Sequence, residues 1–148
     1  MANFTTDADL EQYEPDIKNY GIQDYTDLHT LSTQDVKRDI EIEWWPRANY
    51  GRYDLSAGTT TQFEDSLLVS SQWTRCAVYH VLGHYIYPRL SSFSPEGDVF
   101  REKMAYYREE YKNEFNKILR VGVKYDFDSS GDISVGEDKP THFNRLVR

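Results

Sequence analysis

The sequence predicts an all-α fold: a small bundle of about four helices, a long surface loop with a short β-hairpin, and an extended C-terminal tail. Three observations predict it. Phe100, Met104, Tyr107, Tyr111, Phe115 and Ile118 are spaced 4, 3, 4, 4 and 3, which is one face of a long helix. Val36, Ile40 and Trp44 lie four apart, and the run from Trp73 to Ile86 is apolar nearly all round, as in a helix buried on several sides. A chain of 148 residues is most simply one domain with a real core. The boundaries are a helical domain at residues 1–137 and a C-terminal arm at 138–148.

Each element follows from local signals. Residues 6–19 read as a first helix, with Thr6 as N-cap, Asp7 and Asp9 in the first turn, and Leu10, Tyr13 and Ile17 as its stripe. Pro15 lies within it and predicts a kink or a split. Gly21 closes it. Residues 22–31 read as a connector. A second helix is capped by Ser32 or Thr33 and ends at Trp45-Pro46, because the residue before proline avoids helical geometry. Residues 47–65 read as a surface loop with a short hairpin, and a loop of that length is usually functional or mobile. A third helix runs from about Ser71 to Tyr87 and stops at Pro88. The long helix spans Asp98 to Val121, roughly 36 Å at 1.5 Å per residue, and Gly122 follows as its C′ residue. The tail holds Lys139, Arg145 and Arg148 against one acid and shows little periodicity.

Composition narrows the function classes. The net charge of −8 argues against a general nucleic-acid binder, which needs a basic footprint to displace counterions. The single Cys76 permits no intrachain disulfide and, in an apolar run, reads as an inert buried thiol. The N-terminus lacks the basic and apolar regions of a signal peptide, and no apolar run reaches the roughly 18 residues of a membrane span.

One segment matches a ligand-binding motif. Asp126, Asp128, Ser130, Gly131, Asp132, Ile133, Ser134 and Glu137 take positions 1, 3, 5, 6, 7, 8, 9 and 12 of an EF-hand-type loop, so hard oxygens are spaced to wrap one Ca²⁺ ion. Gly136 and Pro140 flank Glu137, and no apolar exit helix follows. The competing reading is a solvated acidic turn that ends the long helix. No cofactor is required on either reading. His80 and His84, four apart, lack the intervening glutamate of a zinc protease and read as hydrogen-bonded core residues. His29 and His142 show no evident partners. No nucleophile elbow, phosphate-cradling glycine loop or dinucleotide fingerprint is present, so no enzyme activity is predicted. Arg47 and Arg52, interleaved with Tyr50 and Tyr53, suit either a phosphate backbone or a contact between subunits.

The order of these parts carries a resemblance. Leu10-Glu-Gln-Tyr-Glu-Pro-Asp-Ile-Lys-Asn-Tyr-Gly-Ile22 opens the chain, and Asp35-Val-Lys-Arg-Asp-Ile-Glu-Ile-Glu-Trp-Trp45 follows. A buried Tyr-rich helix, a long Tyr/Glu/Lys helix and a Tyr-Asp-x-Asp-x-x-Gly-Asp-Ile-x-x-x-Glu close complete it. This pattern resembles the head-tail connector (adaptor, or head-completion) proteins of tailed bacteriophages. The resemblance implies a structural virion protein at the neck, assembled in the host cytoplasm. It implies a ring of copies, typically twelve, under the portal protein, which extends the channel for genomic dsDNA and docks the tail or a stopper protein. It implies no membrane and no sequence-specific DNA contact. On this analogy His142, Phe143, Asn144, Arg145, Leu146, Val147 and Arg148 form a portal-docking arm. Arg47, Tyr50, Arg52 and Tyr53 fall in a loop that contacts neighbouring copies or DNA in the channel. The alternative, from a different class, is a calcium-binding regulatory module built on the 126–137 loop.

Overall fold

The long apolar stripe forms α6, Val99–Val121, in the computed structural model, which describes residues 3–22, 24–48, 53–54, 59–60, 62–90 and 99–134. Met104, Tyr107, Tyr111, Phe115 and Ile118 are its buried side chains, as the spacing requires. At 23 residues it is roughly 34 Å long and spans the molecule. Gly122, at φ 119°, follows in the left-handed region and donates to the Ile118 carbonyl at 2.9 Å, the expected helix close.

Against α6 pack α4, Ser70–Val81, and its continuation, and α2, Thr26–Glu43, packs on α4 and reaches α6 through the Tyr111–Asp39 bond. With the short α1, Asp7–Tyr13, they make the all-α bundle. The predicted first helix splits at the proline: α1 ends at Tyr13, and a separate 3₁₀ turn occupies Ile17–Tyr20. Gly21 closes that turn at φ 94°. In the 47–65 loop, β1 (Tyr53–Asp54) pairs antiparallel with β2 (Thr59–Thr60).

The second helix starts earlier than expected. Its first turn is at Thr26, with the Asp24 carboxylate accepting the Thr26 amide at 2.9 Å. Ser32 and Thr33 are therefore not caps; both are buried in mid-helix. The stripe they belong to is Leu28, His29, Ser32, Thr33, Val36, Lys37 and Ile40. Polar residues can sit in it because distant parts of the chain satisfy them. Thr33 Oγ1 accepts the Phe4 amide at 3.0 Å, and Ser32 Oγ meets His80 Nδ1 at 2.9 Å. His29, read as partnerless, bonds Thr5 Oγ1 through Nδ1 at 2.6 Å and donates from Nε2 to Asp7 Oδ1 at 2.9 Å.

Neither predicted proline stop ends the helical path. Pro46 lies in the short α3, Trp45–Ala48, and Pro88 in α5, Tyr87–Leu90. Each is the second residue of a new helical turn, where the missing N–H costs little. Before Pro88 the chain widens into a π-helical segment, Leu82–Ile86. Gly83 lies inside it and touches α6: a Cβ there would come within 2.9 Å of the Arg108 backbone nitrogen. The Gly83 carbonyl accepts from Arg108 Nε at 3.0 Å, which ties the widened turn to α6.

The core has two parts. One gathers Trp44, Trp45, Trp73, Phe115 and Tyr125, and the other Leu10, Ile17, Tyr25, Val81, Ile86, Tyr87 and Tyr107. The chain after α6 returns to the first part. Tyr125 forms an antiparallel bridge with Leu68, and Gln72 clamps the return by donating to the Gly122 carbonyl at 2.8 Å and accepting the Lys124 amide at 2.9 Å.

Candidate functional site

The acidic loop is organised by its first residue. Asp126 is 8% exposed, and its backbone donates to the Leu67 carbonyl at 3.1 Å. Its Oδ1 accepts the Ser130 amide at 3.0 Å and its Oδ2 accepts the Gly131 amide at 2.8 Å. Asp128 Oδ1 also takes the Ser130 amide at 3.0 Å, and Ser130 Oγ donates to the Asp132 carbonyl at 3.0 Å. The chain makes this reversal with Ser129 at φ 56° and Gly131 at φ 91°. Gly131 is where the motif calls for a residue free of a Cβ. Hydrogen bonds from Ser130 and then to Asp126 hold the Asp128 carboxyl below its ordinary range.

The loop thus brings together Asp126, Asp128, Ser130 and Asp132, while Glu137 lies outside the described residues. Among the described residues, no three His, Cys, Asp or Glu side chains stand close enough to hold a metal ion together. The acidic side chains follow the spacing of a calcium loop, and the shape is maintained by the chain's own amides.

A second polar constellation lies between α2, the π-helical segment and α6. Asp35, Asp39 and Glu43 are four apart on α2. Tyr85 donates to Asp35 Oδ2 and Tyr111 to Asp39 Oδ2. His80 and His84 stack with ring centres 4.3 Å apart, and the edge of Tyr111 meets both rings. His84 Nδ1 donates to the His80 carbonyl at 3.2 Å, and His80 Nε2 lies 3.9 Å from Asp35 Oδ2. Burial, with neighbouring His84 as the next cause, pushes the His80 imidazole down to about 4 against the opposing pull of Asp35. Burial likewise lowers His84, whose bond to the His80 carbonyl opposes the shift. Both rings are neutral at pH 7 and act as packed hydrogen-bonding groups.

Beside this seam, a cleft of about 310 Å³ opens between α2 and α6, lined by Asp39, Glu43, Tyr111, Lys112, Phe115 and Asn116. Spacing alone points to Asp39 and Glu43 as neighbours on α2. Only the fold sets them opposite Tyr111 and Phe115.

The other predicted positions are distributed as follows. Arg47 is exposed on α3. The Tyr53 backbone lies in β1 opposite Thr60. Tyr50, Arg52 and the arm from His142 to Arg148 (Phe143, Asn144, Arg145, Leu146 and Val147 included) lie outside the described residues. Cys76 is fully buried, and burial raises its thiol far above the ordinary range. No helix among the described residues is long and apolar enough to cross a membrane.

No family model, curated protein or solved structure matches the chain.

Proposed function

We propose that this chain is a non-enzymatic neck protein of a tailed bacteriophage. In this reading it assembles as a ring under the portal, lines the path of the genomic DNA, and presents a docking surface to the tail or a stopper. The observation that carries the reading is a pair of separate apolar lines on the two longest helices. Leu31 and Ile42, eleven residues or three turns apart on α2, are 43% and 56% exposed. Val99 and Tyr106, two turns apart on α6, are 62% and 57% exposed. A ring needs two different patches that meet head to tail, and two lines on different elements supply that chemistry. The charge of −8 suits a channel that lets DNA pass without adhering. The resemblance in element order points the same way and assigns residues 142–148 to the portal.

The test is electron microscopy and co-sedimentation of the full chain with its portal. Rings are expected for the wild type, and Ile42→Lys and Tyr106→Lys should each remain folded yet fail to close them. Deleting residues 142–148 should leave the fold intact and abolish portal binding. Normal rings from both lysine variants would sink the assembly reading.

A calcium-binding regulatory module is the second reading, favoured by the closed shape that Asp126 gives the 126–134 turn. Calorimetry with Ca²⁺ on the wild type and Glu137→Gln separates the two. Tight binding that depends on Glu137, with a large structural change, supports the module; its absence leaves the loop as a helix stop.

A further inference from the structure

We infer that the outer face of α2 in one copy packs antiparallel on the outer face of α6 in the next, in a register set by two charge pairs. This inference rests on the ring reading and names the contact that closes the ring. Asp27, Leu31, Gln34, Arg38 and Ile42 are exposed on α2 and spaced 4, 3, 4 and 4. Read backwards along α6, Arg120, Asn116, Asn113, Glu109 and Ala105 are exposed and also spaced 4, 3, 4 and 4. Each set is one helix face about 22 Å long, and the two coincide position for position only when the helices run in opposite directions.

The chemistry follows the same register. Asp27 meets Arg120 and, eleven residues on, Arg38 meets Glu109. Gln34 and Asn113 face each other, each with an amide that both donates and accepts. Ile42 meets Ala105 and, beside it, the Tyr106 ring, which is 57% exposed. Run parallel over the same length, the lines would set Leu31 on Glu109 and Ile42 on Arg120, and leave Asp27 and Arg38 without an opposite charge. None of Asp27, Arg38, Glu109 and Arg120 forms an ion pair among the described residues, so all four charges are available to a partner.

The surface beside α2 has room for the contact. A groove of about 570 Å³ opens between Gln34, Arg38 and Glu41 on α2 and the segment holding Phe63 and Ser66. The register sets Tyr106 opposite Glu41, at the rim of that groove, so the exposed ring has a recess to enter. Because α2 and α6 are different elements, the contact is heterologous: each copy turns α2 to one neighbour and α6 to the other. Exposed ion pairs add little affinity each, and their role here is to select direction and register.

The experiment measures self-association of the full chain by sedimentation velocity over a concentration series, with circular dichroism to show that each variant is folded. Arg38→Glu and Glu109→Arg each set like charges opposite one another, and each should weaken association on the order of tenfold. The double variant restores the pair and should recover wild-type association. Asp27→Arg and Arg120→Asp should behave in the same way, singly and together. Two rescued pairs, eleven residues apart on both helices, fix the antiparallel direction. Single variants that associate like the wild type, or double variants that fail to recover, would overturn this pairing and leave the ring reading standing on another contact. Loss confined to the two α6 variants would do the same, by removing α2 from the interface. A wild type that stays monomeric, alone and with its portal, would instead overturn the neck reading and this pairing with it.

Discussion

Two regions, one at the end of α2 and one along it, are built from the same residue type and behave differently. At the C-terminal end, Trp44, Trp45, Phe63, Tyr125 and Phe127 meet ring to ring, with centroids 4.7 to 6.2 Å apart. Their cohesion is apolar burial and ring geometry, which pH leaves alone. Along the seam with α4 and α6, Tyr85 and Tyr111 pack their rings and also give their hydroxyls to Asp35 and Asp39, beside the neutral pair His80 and His84. There the packing depends on which groups carry protons. An aromatic-rich chain can thus build one half of its core to be indifferent to pH and the other half to be sensitive to it.

The largest break in the comparison is Trp45→Ala. The ring is 8% exposed and touches Trp44, Phe63, Tyr125 and Phe127. Removing it should cost about 3–5 kcal/mol, the usual range for a buried tryptophan truncated to alanine. Urea unfolding at pH 8 and at pH 6 should show the same loss at both values.

Acidification should do the reverse and act on the seam. His80 is 4% exposed, and its imidazole titrates near 4 in the fold against 6.5 when unfolded. Above about pH 6.5 the ring is neutral in both states and contributes no difference. Between there and pH 4 the unfolded chain takes up a proton that the folded one refuses, so stability falls as pH falls. The loss is roughly 3 kcal/mol over that window. The groups facing the ring are Ser32, Asp35, His84, Tyr85 and Tyr111, and of these His84 shifts in the same direction. Denaturant midpoints from pH 8 to 4 should slope for the wild type and flatten in His80→Gln. An unchanged slope in that variant would assign the acid sensitivity elsewhere.

A smaller effect separates ring from hydroxyl at one residue. Tyr111→Phe keeps the packing on His80 and Phe115 but leaves Asp39 without its donor. The expected cost is about 1–2 kcal/mol. Burial, and then the bond to Asp39, raise the Tyr111 hydroxyl above its ordinary value. Unfolded tyrosine ionises near pH 10 while the folded residue keeps its proton, so this contribution is complete below pH 10 and fades above it. The phenylalanine variant should therefore unfold less steeply in alkali, as read by circular dichroism.

These contrasts show which parts of the molecule the residues announce by themselves. α6 could be drawn from the sequence because its stripe is continuous and its side chains face one neighbour. The start of α2 could not. His29 looks like a connector residue, and Ser32 and Thr33 like caps, until Thr5, His80 and Phe4 are brought to them from 24 to 48 positions away. The widened turn at Leu82–Ile86 was also hidden, since a shift in backbone hydrogen bonding leaves no mark on an all-apolar run. At the acidic loop, spacing offered Asp126, Asp128, Ser130 and Asp132 as oxygen ligands for one Ca²⁺ ion. It could not say that Asp126 would be committed to two backbone amides. The α2–α6 cleft was invisible because its walls lie about 70 residues apart; the Tyr111–Asp39 bond spans 72.

The smallest expected effect sharpens the same contrast at the edge of the aromatic end. Asp126 receives the Ser130 and Gly131 amides on its two carboxylate oxygens, while its own backbone is bonded to Leu67. Asp126→Asn preserves the backbone bond and the side-chain size but leaves one oxygen for two donors, since an amide nitrogen cannot accept. One of the two amides then turns to water, at a cost of about 0.5–1.5 kcal/mol. Phe127 and Tyr125 stay packed on Trp44 and Trp45, so the loss should be confined to the turn. Amide hydrogen exchange should quicken at Ser130 and Gly131, with α6 and the ring-on-ring end unchanged. Faster exchange throughout α6 would instead mean that the loop helps to hold the spine of the bundle.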